Sequence, residues 1–155
     1  MSSHTATIKW TADDADFLRG RYSRAHTWTF DGGLQVAASS SPSVVPVPMS
    51  NPAGVDPEEA FVASLSSCHM LTFLYEAMRK KLVVTGYVDE AVGTMSKNAE
   101  GVPWMSKVVL RPRITWGGGG PPAPEVERAL HEAAHHGCFI AQSVKTDVTV
   151  EPAPG

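Results

Sequence analysis

The sequence predicts an α+β fold, and three observations lead to it. Strand-like alternation of apolar and polar residues occupies the start of the chain and the stretch after residue 81. One long apolar helical segment opens at Asp56-Pro57-Glu58-Glu59, and a second helix signal opens at Pro124-Glu125. The resulting order is two hairpins, each followed by a helix, and then a final strand, which is an α+β arrangement. A length of 155 residues with 43% apolar content suits a single domain over 1–155 with a real core.

The elements follow in chain order. His4–Trp10 alternates as a strand does. Thr11–Gly20 reads as a polar connection. Ala25–Phe30 and Leu34–Ala38 flank the turn Asp31-Gly32-Gly33, which is an N-terminal hairpin signal. Ser39–Gly54 is rich in Ser and Pro and reads as a surface loop or irregular edge.

Asp56 is a good N-cap, Pro57 suits the first helical position, and Glu58 and Glu59 suit the positive helix end. Glu59 stands three residues after Asp56, the capping-box spacing. The helix should reach Lys80 or Lys81, where three consecutive cations meet the negative end. Apolar residues surround most of it, so it should be buried on nearly all sides. Leu82–Lys97 and Val102–Trp116 are two long strand-like segments joined by a turn at Asn98–Gly101, a second hairpin. Gly117–Gly120 and Pro121-Pro122 form a joint. Pro124–His136 is the second helix, stopped by Gly137. Cys138–Val144 suits a further helical turn, and Lys145–Glu151 a last strand.

Composition narrows the function. A net charge of -3 without a charge run disfavours a nucleic-acid protein. No basic region followed by an apolar run opens the chain, so no secretory signal is expected. Phe61–Met78 is broken by Ser64, Ser66, Ser67, His69, Thr72 and Glu76 and does not suit a bilayer span. The expected compartment is the cytoplasm, where cysteine pairs are more often redox-active than structural.

Cys68 and Cys138 are the two cysteines, 70 positions apart. Cys68 lies in mid-helix, and Cys138 follows the Gly137 break. If the helices pack together the thiols could meet. Buried cysteines often serve as small hydrophobes, so two inert thiols are one reading. A reactive pair needs a cation to favour the thiolate. His69 points about 100° away around the helix axis, so that cation must come from elsewhere.

Three segments resemble the OsmC/Ohr family of osmotically inducible and organic hydroperoxide resistance proteins. Asp56–Cys68 resembles the family's central-helix motif, with Pro-Glu near the helix start and a cysteine ten residues after the Glu. Ala134–Ser143 resembles its second-cysteine segment. Arg24, ahead of the strand leading to Asp31-Gly32-Gly33, resembles its N-terminal arginine. The similarity covers nearly the whole chain. It implies the OsmC-like fold as an intertwined homodimer and a peroxidase that needs no cofactor or metal.

By that resemblance Cys68 attacks an organic hydroperoxide and becomes a sulfenic acid, and Cys138 closes a disulfide with it. Arg24 stabilises the thiolate, Glu58 holds the guanidinium through a two-pronged contact, and a dithiol of lipoyl type is the reductant. Ten helical residues place Glu58 about 15 Å along the axis from Cys68, so supply of Glu58 or Arg24 by the partner chain would ease the span. The chain departs from the hydroperoxide-resistance branch in having Phe139-Ile140 after the second cysteine, where that branch usually has Pro. Arg19 and Arg21 are rival arginines.

Other motifs compete less well. His131-Glu132-Ala133-Ala134-His135 matches H-E-x-x-H, a zinc motif on a helix. A catalytic zinc wants a third protein ligand, and no His follows His136. Gly117–Gly120 lacks the Lys-Ser/Thr ending of a phosphate loop. Trp10, Trp28, Trp104 and Trp116 read as core or rim residues, some of which could line an apolar pocket. Met70 and Met78 read as core, and Tyr75 and Glu76 as surface or interface. The competing function class is a small-molecule-binding or stress-associated protein of the same fold with redox-silent thiols.

Overall fold

The computed structural model describes residues 1–12 and 16–153. The connection expected over Thr11–Gly20 therefore lies partly outside the described residues, at Asp13, Asp14 and Ala15. The chain divides into two compact units, Met1–Ala60 and Phe61–Gly155.

In the first unit, β1 (Ala6–Lys9), β2 (His26–Phe30) and β3 (Gln35–Ala38) form an antiparallel sheet in the order β1-β2-β3. The expected hairpin is β2–β3. Its turn closes through the Gly33 N–H on the Phe30 carbonyl at 2.9 Å, with Gly33 at φ 84°, a conformation that favours glycine. The first strand joins the other side of β2, which makes the latter the central strand. Ser39–Gly54 is less a free surface loop than its composition suggests. Ser39 and Ser50 are buried, and the Ser39 hydroxyl accepts the Asn51 N–H at 2.9 Å. Val55 then runs beside Ala38 and donates to the Ala37 carbonyl at 2.9 Å.

Helix α1 (Pro57–Arg79) opens with a reciprocal capping box. Glu59 N–H donates to Asp56 Oδ1 at 2.7 Å, and Asp56 N–H donates to Glu59 Oε1 at 2.9 Å. It closes as a Schellman motif. Leu82 N–H bonds the Ala77 carbonyl, Lys81 N–H bonds the Met78 carbonyl, and Lys81 holds φ 57°.

Burial of α1 corrects one expectation. Its buried residues are Leu65, His69, Phe73 and Ala77, a single stripe at i, i+4 spacing. Leu71, Tyr75 and Met78 are 61%, 55% and 59% exposed. The helix is therefore covered on one face, and the apolar side chains on the other face contribute nothing to the chain's own core. Met78, expected in the core, is among them.

In the second unit the two long segments pair over their full length but break into separate ladders. β4 (Val84–Asp89) pairs with β7 (Pro112–Trp116), and β5 (Val92–Lys97) pairs with β6 (Pro103–Leu110), all antiparallel. The break falls at Glu90-Ala91 on one arm and Arg111 on the other. Asp89 Oδ1 pins it by accepting the Arg111 N–H at 2.6 Å. The last strand, β8 (Asp147–Val150), lies parallel to β6. α2 (Pro124–Gly137) begins at the expected proline.

Two apolar clusters fill this unit. Leu65 packs with Val108 and Leu110 near β5, β6 and β8. Phe73 and Ala77 pack with Ile114, Leu130 and Ala134, with Trp116 and Tyr87 against them. Among the described residues, no helix is long and apolar enough to cross a membrane.

Candidate active site

The two thiols meet within the second unit. Gly137, at the last position of α2, has no side chain to hold the helices apart. A methyl group there would lie 2.8 Å from Thr72 Cγ2 on α1. Thr72 in turn donates to the Cys68 carbonyl at 3.0 Å, one turn back. This close approach carries Cys138 to the Cys68 side of α1, where the two thiols are neighbours close enough to influence each other's protonation.

Cys138 leaves the helix in an extended conformation, and its sulfur accepts the Ala141 N–H at 3.4 Å. It is buried, whereas Cys68 is half-buried. Burial pushes the Cys138 thiol up to about 11, and the neighbouring Cys68 adds to the rise. Cys138 is thus protonated at neutral pH. Ser66, two residues before Cys68, donates to Asp89 Oδ2 at 2.5 Å and anchors that turn of α1 to the break between β4 and β5.

Arg24 and Glu58 share a cavity of about 450 Å³ in the first unit. Trp10, Phe17 and Tyr22 give it an aromatic wall, with ring centroids 4.7–5.9 Å apart. Trp10 is therefore a pocket residue. The Arg24 guanidinium lies 3.6 Å over the Tyr22 ring and donates to the carbonyls of Gly20 at 3.0 Å and Tyr22 at 2.5 Å.

The two-pronged Glu58–Arg24 contact is not formed. Glu58 Oε2 is buried with no hydrogen-bond partner among the described residues. Nη1 of the guanidinium donates to backbone carbonyls instead, which leaves a buried carboxylate oxygen uncompensated. The rival arginines lie elsewhere. Arg19 pairs with Asp16 at 3.5 Å in solvent, and Arg21 is exposed.

His69 and His131 form a buried pair that the sequence does not announce. His69 Nε2 and His131 Nδ1 are 3.1 Å apart, and Phe73 stacks on His131 with centroids 4.4 Å apart. Burial lowers both imidazoles to about 4; His135 adds to this for His69, while Asp89 opposes it, and His69 adds to it for His131. The first His of the H-E-x-x-H match is thereby committed to His69. Among the described residues, no three His, Cys, Asp or Glu side chains converge as a metal site needs.

Sequence reading also passed over Tyr22 and His26. Both stand two residues from Arg24 in an extended stretch, and the alternation Tyr22, Arg24, His26, Trp28 is the signal that would have placed them on one face.

Comparison with known proteins places these features in context. A family model described as OsmC-like protein matches residues 50–153. An OsmC-like protein of unknown function from Vibrio cholerae is 50% identical, with a TM-score of 0.95 and coverage of 99% of this chain and 100% of that one. The organic hydroperoxide resistance protein of Elizabethkingia anophelis, with thiocyanate bound, shares the fold at a TM-score of 0.72 and 17% identity, covering 100% of this chain and 96% of that one. The organic hydroperoxide resistance protein OhrB of Bacillus subtilis does so at 0.66 and 17%, covering 99% and 98%. A search of curated proteins found no match.

Proposed function

Because the chain belongs to the OsmC-like protein family, we propose that it is a thiol peroxidase that reduces organic hydroperoxides to alcohols through Cys68 and Cys138. One observation carries this reading: two cysteines 70 positions apart become neighbours where α2 ends against α1. Two inert core thiols have no need to meet. The substrate class rests on the names of the organic hydroperoxide resistance proteins that share the fold, and the apolar aromatic cavity around Arg24 is consistent with it.

In this mechanism the Cys68 thiolate attacks the distal peroxide oxygen. An S–O bond forms, the O–O bond breaks, and the alkoxide takes up a proton and leaves as the alcohol. Sulfur supplies the two electrons. The Cys138 thiol then attacks the sulfenic sulfur, an S–S bond forms, and water leaves with the thiol proton. A dithiol of lipoyl type reduces the disulfide by exchange and departs as its own disulfide.

Arg24 is the proposed cation for the thiolate and the developing oxyanion, with Glu58 as its carboxylate partner once the guanidinium turns from the Gly20 and Tyr22 carbonyls. The working form is a homodimer. The exposed stripe of Leu71, Tyr75 and Met78 on α1 is the apolar surface that a second copy would cover.

Thiol counting by mass tests the reading. One equivalent of cumene hydroperoxide should convert both thiols rapidly to an intramolecular Cys68–Cys138 disulfide, faster than hydrogen peroxide does. Two thiols that stay reduced would refute the peroxidase and favour a redox-silent binding protein of the same fold.

A further inference from the structure

The hydrogen bonds around His26 have only one consistent assignment. Trp28 Nε1 lies 2.9 Å from His26 Nε2, and an indole N–H is a donor only. His26 Nε2 must therefore be the unprotonated acceptor. His26 Nδ1 lies 2.7 Å from the Arg24 carbonyl, which only accepts. Nδ1 must carry the proton.

The ring is thus a neutral Nδ1–H tautomer, specified by partners whose roles cannot invert. The partner that specifies it is itself fixed. Trp28 sits in the central strand β2, opposite Ile8 on one side and Val36 on the other.

The other end of this relay is Arg24. Its N–H donates to the Met49 carbonyl at 2.7 Å, and its own carbonyl is the one His26 holds. Both flanking peptide groups are pinned, so the side chain leaves the backbone in a defined direction, toward the Tyr22 ring and the cavity that Arg24, His26 and Glu58 line. With the backbone pinned in advance, only the side-chain torsions of Arg24 remain to be ordered when the guanidinium turns from the Gly20 and Tyr22 carbonyls toward an anion.

We propose that His26 is the positioning residue for Arg24: Trp28 selects its Nδ1–H tautomer, and that N–H fixes the Arg24 carbonyl and hence the direction in which the side chain enters the cavity. The catalytic consequence rests on the peroxidase reading, whereas the positioning itself does not.

Two amide variants separate the two hydrogen bonds. In His26→Asn the side-chain nitrogen stands near Nδ1 and retains a donor for the Arg24 carbonyl. In His26→Gln the terminal amide stands near Nε2 and retains an acceptor for Trp28 only. Nitrogen-15 spectra of the wild-type His26 ring should show a protonated Nδ1 and an unprotonated Nε2; the reverse pattern overturns the proposal. The Arg24 Nε–H resonance, set by the Tyr22 ring, should move in His26→Gln and move much less in His26→Asn. Equal movement in both, or none in either, overturns it as well.

In stopped-flow oxidation of Cys68 by cumene hydroperoxide, His26→Gln should be about tenfold slower than His26→Asn, the size of one well-placed hydrogen bond. In an Arg24→Ala background the two variants should react alike. A gap that persists without Arg24 means that His26 acts otherwise, and the proposal falls. If the wild-type protein does not react with peroxide, the peroxidase reading fails, and the two spectroscopic results still decide the positioning role.

Discussion

Acidification should unfold this protein through the His69–His131 pair. An imidazole whose pKa falls on folding takes up protons more readily in the unfolded chain. Stability is then fully present above the ordinary value of 6.5 and declines as pH drops toward the folded value of about 4. At about 1.4 kcal/mol per pH unit, one such histidine accounts for roughly 3 kcal/mol across that window. While both rings stay neutral in the folded protein, each contributes separately, because the two histidines take up protons independently in the unfolded chain.

The assay is urea unfolding at half-unit steps from pH 7.5 to pH 4.5, with the double variant His69→Leu/His131→Leu as the reference. The variant replaces both partners with apolar groups and removes the titration while the carboxylates remain. The wild-type curve should fall more steeply by at least about 2–3 kcal/mol, the share of one ring. Ring-proton spectra of the folded wild type should show both imidazoles still neutral at pH 5. Parallel curves, or a ring that titrates near 6.5, would refute the reasoning.

The remaining predictions concern the thiols, the helix ends and the exposed face. Cys138→Ser should allow one oxidation of Cys68 and then overoxidation under excess peroxide; sustained turnover with a dithiol would remove the resolving role. Gly137→Ala sets a methyl 2.8 Å from Thr72 Cγ2 and should cost about 1–3 kcal/mol by overpacking while slowing disulfide closure, measured by denaturant midpoint and by mass. Lys81→Gly relieves a left-handed backbone at the Schellman position and should stabilise the protein by about 0.5–1 kcal/mol in thermal unfolding. Arg24→Ala should slow Cys68 oxidation far more than Arg19→Ala or Arg21→Ala, in a side-by-side kinetic comparison. Leu71→Glu with Tyr75→Glu should convert the proposed dimer to monomer in sedimentation, since two charges would sit on the apolar stripe.

Local chemistry was legible in the sequence. The capping box at Asp56 and Glu59, the proline start of α2 and the Asp31-Gly32-Gly33 turn depend on residues within four positions of one another, and each formed where the pattern placed it. Cys68 and Cys138 could be singled out by count and by motif, and Arg24 and Glu58 by resemblance. The alternation in Leu82–Trp116 marked extended chain but not the break at Asp89 and Arg111, because that break is made by a side chain bonding a backbone group 22 positions away.

Only the tertiary structure decided the rest. Which face of α1 is covered could not be read from a helix that is apolar all round, since hydrophobic burial has no direction until a partner surface is present. The parallel pairing of β8 with β6, the meeting of the thiols across Gly137 and the pairing of His69 with His131 join residues 40 to 70 positions apart. Short-range propensity carries no information about such pairs; they exist because packing two helices and a sheet brings those atoms within reach.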